Sequence, residues 1–427
     1  MMKNIFFLLA WGCSCILPSM AQENPSAITC IIRGEVIDRP ESKQLMLNRE
    51  GEDFRVKTTY IPIEDGKFEY VLNCEFEEAY SLVFSDEVKN GMWMPVRFFA
   101  ENDTLHFQLY PADRYKENVI TGGTHTQEYL AFENRRREFA QSSRPSLLFE
   151  EWDKLYESDL VHNEQAKRLL EINRTSTDKE EKEKAIREFY KLQDSGEHYS
   201  EAAKALQEKT DQSNALAREW QLEEVKKRIS IPSYYILLQL AEQPLSHFRK
   251  EEIYPPAVEL YSQVYANRYP DHPYTARFQT LILSKSDIQV GGKYIDFIAP
   301  DFEGNPVTLS AQIEGKVALI DLWASWCGPC RRTSKSMIPV YEKYRNKGFM
   351  IVGVAREEKA EHGISAAQAD GYPWLNLLEI KDSANIWNLY GIGNAGGSVF
   401  LVDRDGTILA INPDAEEVEK ILREKLE

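Results

Sequence analysis

VALIDLWASWCGPC, residues 317–330, decides the fold of the last third of the chain. The apolar run Val317–Trp323 predicts a buried central strand. A helix is predicted over Arg331–Lys347, where apolar side chains recur on one face: Met337, Val340, Tyr341 and Tyr344. The two cysteines of the motif therefore lie between the end of a buried strand and the start of a helix.

This placement favours thiol chemistry. Two cysteines separated by two residues can close a small disulfide ring, and the unpaired backbone N–H groups at a helix start favour the attacking thiolate of Cys327. Arg331 and Arg332 add positive charge nearby, and Pro329 suits a first helical turn because no backbone donor is needed there. Cys330 lies one turn further along, as a resolving thiol would.

The cysteine pair has two alternative interpretations. Half of a zinc site is disfavoured because no second Cys/His pair with ligand spacing is present, and His362 is the only histidine in this part of the sequence. A purely structural disulfide is disfavoured by the strand–turn–helix context. The sequence therefore predicts a redox-active pair.

Strands and helices alternate from residue 290 to the end of the sequence. We predict further strands at Phe349–Ala355, Ser398–Val402 and Thr407–Ile411, and helices at Asp382–Tyr390 and Ala415–Leu426. A strand–helix–strand unit followed by a hairpin and a helix is the order of the thioredoxin fold. An α/β domain of this type is predicted over residues 290–427.

Two regions of different character precede this domain. Short strands with turn residues between them predict an all-β sandwich over residues 27–120. Its predicted strands are Thr29–Ile37, Gln44–Asn48, Phe54–Ile61, Lys67–Leu72, Ala79–Phe84, Pro95–Ala100 and Thr104–Leu109. Residues 124–286 have helical periodicity and predict a central α-helical region divided by prolines. The predicted fold class is thus multidomain, as expected for 427 residues.

The charge of the chain excludes one class of partner. The formal net charge is −17, and no concentrated basic stripe offsets it. Such a protein is repelled by the phosphate backbone. Nucleic acid is therefore not an expected partner.

The N-terminus has the pattern of a signal peptide over residues 1–21. Lys3 is positive, Ile5–Leu17 is apolar, and small residues precede a cleavage point after Ala21. Cleavage would place the protein in the cell envelope, on the periplasmic side. An uncleaved signal anchor and lipid attachment at Cys13 or Cys15 remain alternatives.

Four of the six cysteines lie beyond this segment. Besides the motif pair these are Cys30 and Cys74, both in the predicted sandwich. In an exported protein the two can form a disulfide. They can equally be small buried residues on neighbouring strands, and the sequence leaves both open.

The motif Trp323-Ala324-Ser325-Trp326-Cys327-Gly328-Pro329-Cys330 resembles the thioredoxin-superfamily signature, specifically that of the exported TlpA/ResA-like thiol–disulfide oxidoreductases. The likeness covers roughly Val290 to the C-terminus. It includes the segments Ala299–Gly304, Gly353–Ala355, Tyr390–Ile392 and Phe400–Gly406. The two preceding regions are similar to segments that often precede such modules in envelope proteins, and no activity is implied for them.

The resemblance implies roles for individual residues. Cys327 is the nucleophile and Cys330 the resolving cysteine. Asp321 takes the place of the buried carboxylate beneath the disulfide, where burial raises its pKa and it accepts the proton of Cys330; a polar residue simply bonded to a neighbour is the alternative. Trp326 shields the sulfurs, whereas Trp323 packs in the core.

The chain departs from the family pattern at two places. The family usually has a cis-proline facing the disulfide, but this segment is Ala395-Gly396-Gly397-Ser398, with Gly397 in its place. Because a non-proline cis bond costs ~2.5–4 kcal/mol, we predict a trans bond and a differently shaped loop. Thr333 and Lys335 replace the usual Glu and Pro, so the helix need not kink there. The residues expected to contact substrate are Trp326, Gly328, Pro329, Gly396 and Gly397.

The leading functional prediction is an exported enzyme that reduces protein disulfides. The Gly-Pro pair between the cysteines matches thioredoxin, a reductant. The resemblance implies a membrane thiol transporter as electron donor and substrates such as apocytochrome c cysteines, with no organic cofactor or metal. A thiol peroxidase and a non-catalytic binding or sensor protein are the alternatives, and a homodimer is left open.

Overall fold

The computed structural model describes residues 28–142, 145–243 and 254–427. The predicted signal peptide, with Cys13 and Cys15, lies outside these residues. Among the helices that are described, none is both long and apolar enough to cross a membrane.

The N-terminal region is a sandwich of two four-stranded sheets, as predicted. The strands are β1 (Ile28–Val36), β2 (Gln44–Arg49), β3 (Thr59–Pro62), β4 (Lys67–Cys74), β5 (Ala79–Phe84), β6 (Val96–Phe99), β7 (Thr104–Leu109) and β8 (Val119–Thr121), with a short helix α1 (Ser85–Lys89). Their order is β4-β1-β7-β8 in one sheet and β3-β2-β5-β6 in the other. Alternate residues of β7 point inward, because successive side chains of a strand face opposite sides. Both sheets contribute to one apolar core.

The predicted strand Phe54–Ile61 is wrong over most of its length. Only Thr59–Pro62 is a strand, and residues 50–58 form a loop that we call the docking loop. Asp53 holds this loop in turns, since its carbonyl accepts from the N–H groups of Val56 and Lys57 and its carboxylate from that of Arg55. These local bonds compete with a sheet ladder.

Cys30 and Cys74 are not bonded to each other in this structure. They lie on the antiparallel neighbours β1 and β4, where Cys30 faces Leu72. Burial raises the pKa of both thiols, that of Cys74 to about 11. The structure thus has the second arrangement that the sequence allowed, unpaired cysteines on neighbouring strands, although only Cys30 is fully buried and Cys74 is partly exposed.

The central region is helical, as predicted. It comprises α2 (Thr124–Ser142), α3 (Pro145–Glu157), α4 (Glu164–Thr175), α5 (Lys179–Ser195), α6 (Glu201–Lys227), α7 (Ile231–Glu242), α8 (Pro255–Leu260), a π-helical turn (Tyr261–Tyr265), α9 (Ala266–Arg268) and α10 (Pro273–Asp287). Helix α7 is buried almost all round and forms the centre of an aromatic core. Ala79 and Phe99 of the sandwich belong to the same core, and the N–H of Ala79 donates to the Tyr274 hydroxyl. The helical region is therefore packed directly on sheet β3-β2-β5-β6.

The C-terminal region has the thioredoxin fold. Its strands are β9 (Ile298–Pro300), β10 (Pro306–Thr308), β11 (Val317–Trp323), β12 (Phe349–Glu357), β13 (Leu375–Ile380), β14 (Ser398–Val402) and β15 (Ile408–Ile411). Its helices are α11 (Leu309–Ile313), α12 (Gly328–Tyr344), α13 (Ala360–Asp370), α14 (Ile386–Leu389) and α15 (Ala415–Leu426). The central sheet has the order β13-β12-β11-β14-β15, with β11, β12 and β13 parallel. Separate apolar clusters cover its two faces, so β11 is buried along its whole length, as predicted.

The predicted helix Asp382–Tyr390 is shortened to the single turn α14. Lys381, Asp382 and Asn385 have positive φ values of 53–57°, which a helix cannot continue through. The carboxylate of Glu379 accepts the N–H groups of Ala384 and Ile386 and holds the chain in this turn. The helical segment at the motif begins earlier than predicted, at Gly328, and runs without interruption to Tyr344.

Candidate active site

Cys327 and Cys330 form a disulfide at the N-terminus of α12, with their Cα atoms 5.3 Å apart. Cys327 is the cap of this helix, and its Sγ accepts the N–H of Cys330 at 3.3 Å. Cys327 is only 6% exposed, whereas the neighbouring Gly328 and Pro329 are exposed. The helix start thus directs the N–H of Cys330 at the Cys327 sulfur, and the helix dipole adds to this in favouring negative charge there.

Gly396 and Gly397 lie against the two sulfurs. The N–H of Gly397 donates to Cys330 Sγ at 3.1 Å, and a Cβ on Gly396 would stand 3.7 Å from Cys327 Sγ. No cis peptide bond occurs among the described residues, so the bond preceding Gly397 is trans. A Cβ on Gly397 would stand 1.9 Å from the Leu322 carbonyl oxygen. Only glycine fits this loop shape, which accounts for the departure from proline.

Asp321 lies beneath the redox helix, in the middle of the central sheet. Its neighbours are Gly353 on β12 and Val399 on β14, and the residue is 1% exposed. Burial raises the pKa of Asp321 to about 7, opposed by a hydrogen bond with Ser334 on α12. Ser334 also donates to the Cys330 carbonyl at 3.1 Å. A carboxyl group that titrates near neutral pH is thereby connected to the second cysteine of the motif.

The two tryptophans of the motif have different surroundings, and Trp323 packs in the core as predicted. Trp323 is fully buried and meets Tyr372 edge-on, with ring centroids 5.1 Å apart. Trp326 is partly exposed next to Cys327. It is covered from an unexpected direction, because the guanidinium carbon of Arg55 in the docking loop lies 3.9 Å from its ring centroid.

Charged groups that the sequence did not single out surround the motif. Glu357 accepts two hydrogen bonds from Ser325, one from its backbone N–H and one from its hydroxyl at 2.8 Å. Burial raises the pKa of Glu357. Asp370 pairs with Arg331 at 2.6 Å and with Lys335 at 3.2 Å, and the Arg331 pair lowers its pKa. These bonds fix the segment on either side of the cysteines.

A buried ion pair connects the docking loop to this domain. Arg356 and Asp53 are each 1% exposed in their side chains and are paired at 3.2 Å. Arg356 also pairs with Asp382 at 2.6 Å and donates to the Gly393 carbonyl. A signal for Arg356 and Glu357 was present, because charged residues directly following a buried parallel strand lie at the sheet edge where sites form. No signal pointed to Asp53 or Arg55.

Comparisons with known proteins agree with this geometry. The AhpC/TSA family model matches residues 290–411. The C-terminal region is therefore similar to the AhpC/TSA family. Among curated relatives, the thiol–disulfide oxidoreductase ResA of Bacillus anthracis is 28% identical over 133 residues, 31% of this chain and 74% of the relative. ResA of Geobacillus thermodenitrificans is 27% identical over 134 residues, 31% of this chain and 75% of the relative.

Solved structures are also similar to the C-terminal region. The thioredoxin domain of a thiol–disulfide oxidoreductase from Bacteroides vulgatus is 25% identical, covering 33% of this chain and 100% of that one, with a TM-score of 0.30. A thiol:disulfide interchange protein from Bacteroides sp. is 26% identical, covering 33% and 91%, with a TM-score of 0.31. The family model and the curated relatives, rather than these structures, confirm the predicted resemblance of the C-terminal region to ResA-like oxidoreductases.

A metal site is not apparent at the motif. No group of three or more His, Cys, Asp or Glu side chains that could hold a metal ion occurs within residues 28–142, 145–243 and 254–427.

Proposed function

We propose that this chain is a thiol–disulfide oxidoreductase that reduces protein disulfides through Cys327 and Cys330. The observation that carries the proposal is the position of the pair at the N-terminus of α12, where Cys327 Sγ accepts a backbone N–H. The names of the curated relatives support it.

The exchange needs no group beyond these thiols and a proton carrier. The Cys327 thiolate attacks one sulfur of a substrate disulfide, the substrate S–S bond breaks, and the other substrate sulfur leaves and is protonated. The Cys330 thiol then gives up its proton, for which Asp321 is the proposed acceptor, and attacks Cys327 Sγ. The second substrate thiolate leaves, and the two electrons have passed from the protein dithiol to the substrate.

The proposed direction is reduction within the cell envelope. Gly328 and Pro329 between the cysteines match thioredoxin, and the N-terminal pattern predicts export. In an oxidising compartment the dithiol must be regenerated, for which we propose a membrane thiol transporter. The proposed substrates are exported proteins with cystines, including apocytochrome c.

Trapping of the mixed disulfide tests this proposal. Reduced protein is mixed with native insulin, whose disulfides are intact. The mixture is quenched with acid and run on a non-reducing gel. We expect Cys330→Ser to accumulate a covalent adduct with an insulin chain, because the resolving attack is removed, and Cys327→Ser to give none. Cys74→Ser is the control and should behave as wild type. Absence of an adduct in Cys330→Ser would overturn the proposal.

The same preparations separate the two alternatives. Reduced wild-type protein that consumes hydrogen peroxide faster than it reduces insulin would favour a thiol peroxidase. A protein that exchanges with neither would favour a binding or sensor role.

A further inference from the structure

The docking loop of the sandwich contacts both other regions of the chain. The Tyr235 hydroxyl on α7 donates to the Glu50 carboxylate at 2.9 Å, and Arg277 on α10 donates to the Glu50 carbonyl at 2.9 Å. In the same loop, Asp53 forms an ion pair with Arg356 of the thioredoxin-fold domain. The loop is therefore held in place from two sides.

This anchoring fixes Arg55 beside the redox disulfide. Arg55 Nε donates to the Asp53 carboxylate at 2.8 Å, and Nη2 donates to the Asn394 carbonyl at 2.6 Å. Its guanidinium carbon lies 3.9 Å from the centroid of the Trp326 ring, a cation–π contact. Arg55 thus spans from Trp326, which precedes Cys327, to the loop that carries Gly396 and Gly397.

Part of the Arg55 guanidinium remains available. A guanidinium has five N–H donors, and those of Nη1 make no hydrogen bond to a described residue. The side chain is 33% exposed. A polypeptide that brings a cystine to Cys327 would meet these donors, which match carboxylate and carbonyl oxygens.

The charge around the disulfide favours an acidic partner. Arg332 is exposed next to Gly328 and has no ion pair among the described residues. Arg331 and Lys335 share the single carboxylate of Asp370. The start of α12 therefore carries three basic side chains against the one carboxylate of Asp370, although the chain as a whole has a net charge of −17.

We propose that Arg55 is a substrate-specificity residue, so that the sandwich domain completes the substrate-binding surface and selects polypeptides with acidic residues next to the cystine. This inference rests on the proposed disulfide-reductase function and names its substrate class. Arg55 contributes to binding the substrate polypeptide, whereas Cys327 and Cys330 carry out the disulfide exchange.

Two disulfide-linked peptide dimers test the inference: oxidised acetyl-Gly-Glu-Cys-Gly-amide and its counterpart with Lys in place of Glu. The purified protein is reduced with dithiothreitol and desalted, so its own dithiol supplies the two electrons. Single-turnover rates are measured against peptide concentration at 0.15 M salt. The limiting rate and the half-saturating concentration are thereby obtained separately.

We expect wild type to reach half-saturation at a lower concentration of the Glu peptide than of the Lys peptide. Arg55→Gln should raise the value for the Glu peptide about fivefold, the size of one partly exposed charge pair, and so reduce the preference. Arg55→Lys keeps the charge without the planar fork and should give an intermediate ratio. Arg33→Gln is the matched control, since Arg33 is a partly exposed arginine of the same sandwich paired with Glu69, and it should keep the wild-type ratio.

The outcomes separate the inference from the function on which it rests. An unchanged Glu-to-Lys ratio in Arg55→Gln overturns the inference alone, as does an equal fall in the limiting rate for both peptides. Wild-type protein that reacts with neither peptide nor the small neutral 2-hydroxyethyl disulfide overturns the proposed function and the inference together. Thermal unfolding of each variant establishes that it is folded.

Discussion

At the scale of single residues, Gly397 and Gly396 adjoin the same sulfur pair but have different steric surroundings. A methyl group at Gly397 would meet the Leu322 carbonyl at 1.9 Å and Cys330 Sγ at 3.1 Å. A methyl group at Gly396 would have one neighbour within 4 Å, Cys327 Sγ at 3.7 Å, which is an ordinary van der Waals distance. The sequence revealed the missing proline, but not this close approach, because it depends on how β11 and the loop pack together.

The two glycines make a matched pair of alanine substitutions. Gly397→Ala should lower the free energy of unfolding by about 1–3 kcal/mol, the usual cost of overpacking, because the backbone must move. Gly396→Ala should change it by less than about 0.5 kcal/mol. Urea unfolding of the oxidised proteins measures both. Equal losses in the two variants would contradict the structure of this loop.

Asp321 gives a pH-dependent prediction. Its pKa is about 7 in the folded protein against an ordinary 3.8. Between these pH values the folded state keeps the proton and the unfolded state does not, so the free energy of unfolding falls as pH rises from about 4 to 7, by ~4 kcal/mol in total. The Asp321→Asn variant has no titratable group at this position, so its free energy of unfolding should not show this decrease.

Urea unfolding of the oxidised proteins at pH 4.5 and 8.0 tests this. The stability of Asp321→Asn relative to wild type should increase by several kcal/mol on going to pH 8.0. Groups that titrate in both proteins cancel in this difference. A relative stability that does not change with pH would show that Asp321 is not buried as described.

At the scale of elements, the strongest sequence patterns were correct. The apolar run that became β11 and the one-sided helix that became α12 were both predicted, because burial on both faces or on one face leaves a clear periodicity. Helix α13 and strand β13 were missed, since their short segments carry a weaker pattern. The prediction of a helix over Asp382–Tyr390 was wrong for most of that segment, because the carboxylate of Glu379, a few residues earlier in the chain, accepts the N–H of Ile386 and holds a turn there.

The start of α12 predicts which thiol reacts first. Cys327 lies at the N-terminus of α12 with the N–H of Cys330 directed at its sulfur, and in the reduced protein this position favours its thiolate. Burial raises the pKa of Cys30 and that of Cys74, the latter to about 11. Iodoacetamide at pH 7 should therefore modify Cys327 well before these two, as followed by peptide mass spectrometry. Cys30 and Cys74 serve as internal controls in the same protein. Modification of Cys74 before Cys327 would contradict this account.

At the scale of the whole molecule, the three regions were predictable one by one, but their arrangement was not. Composition and periodicity identify a sandwich, a helical region and a thioredoxin-fold domain. The contact of the docking loop with the redox site depends on residues separated by about 300 positions in sequence, such as Asp53 and Arg356. The sequence pattern wrongly predicted a strand over residues 54–61, most of which belong to this loop.

The buried pair of Arg356 and Asp53 should couple the domains energetically. Arg356→Met leaves the buried carboxylate of Asp53 with Arg55 as its remaining partner and the carboxylate of Asp382 without its ion pair. The free energy of unfolding should therefore fall by about 2–3 kcal/mol. Arg345→Met, which removes an exposed pair with Glu342, should cost no more than about 1 kcal/mol. Guanidinium unfolding compares the two. Similar small losses would mean that the sandwich does not dock through this pair.

The central claim is that Cys327 and Cys330 form a working redox couple that acts as a reductant. The most direct measurement is the reduction potential of the purified protein, by equilibration in dithiothreitol buffers, with Cys327→Ser as control. We predict one two-electron couple near about −270 mV, the value of thioredoxin, which is absent in the Cys327→Ser variant. A couple near about −120 mV would contradict the reductive direction, and the absence of any couple that depends on Cys327 would contradict the enzymatic account altogether.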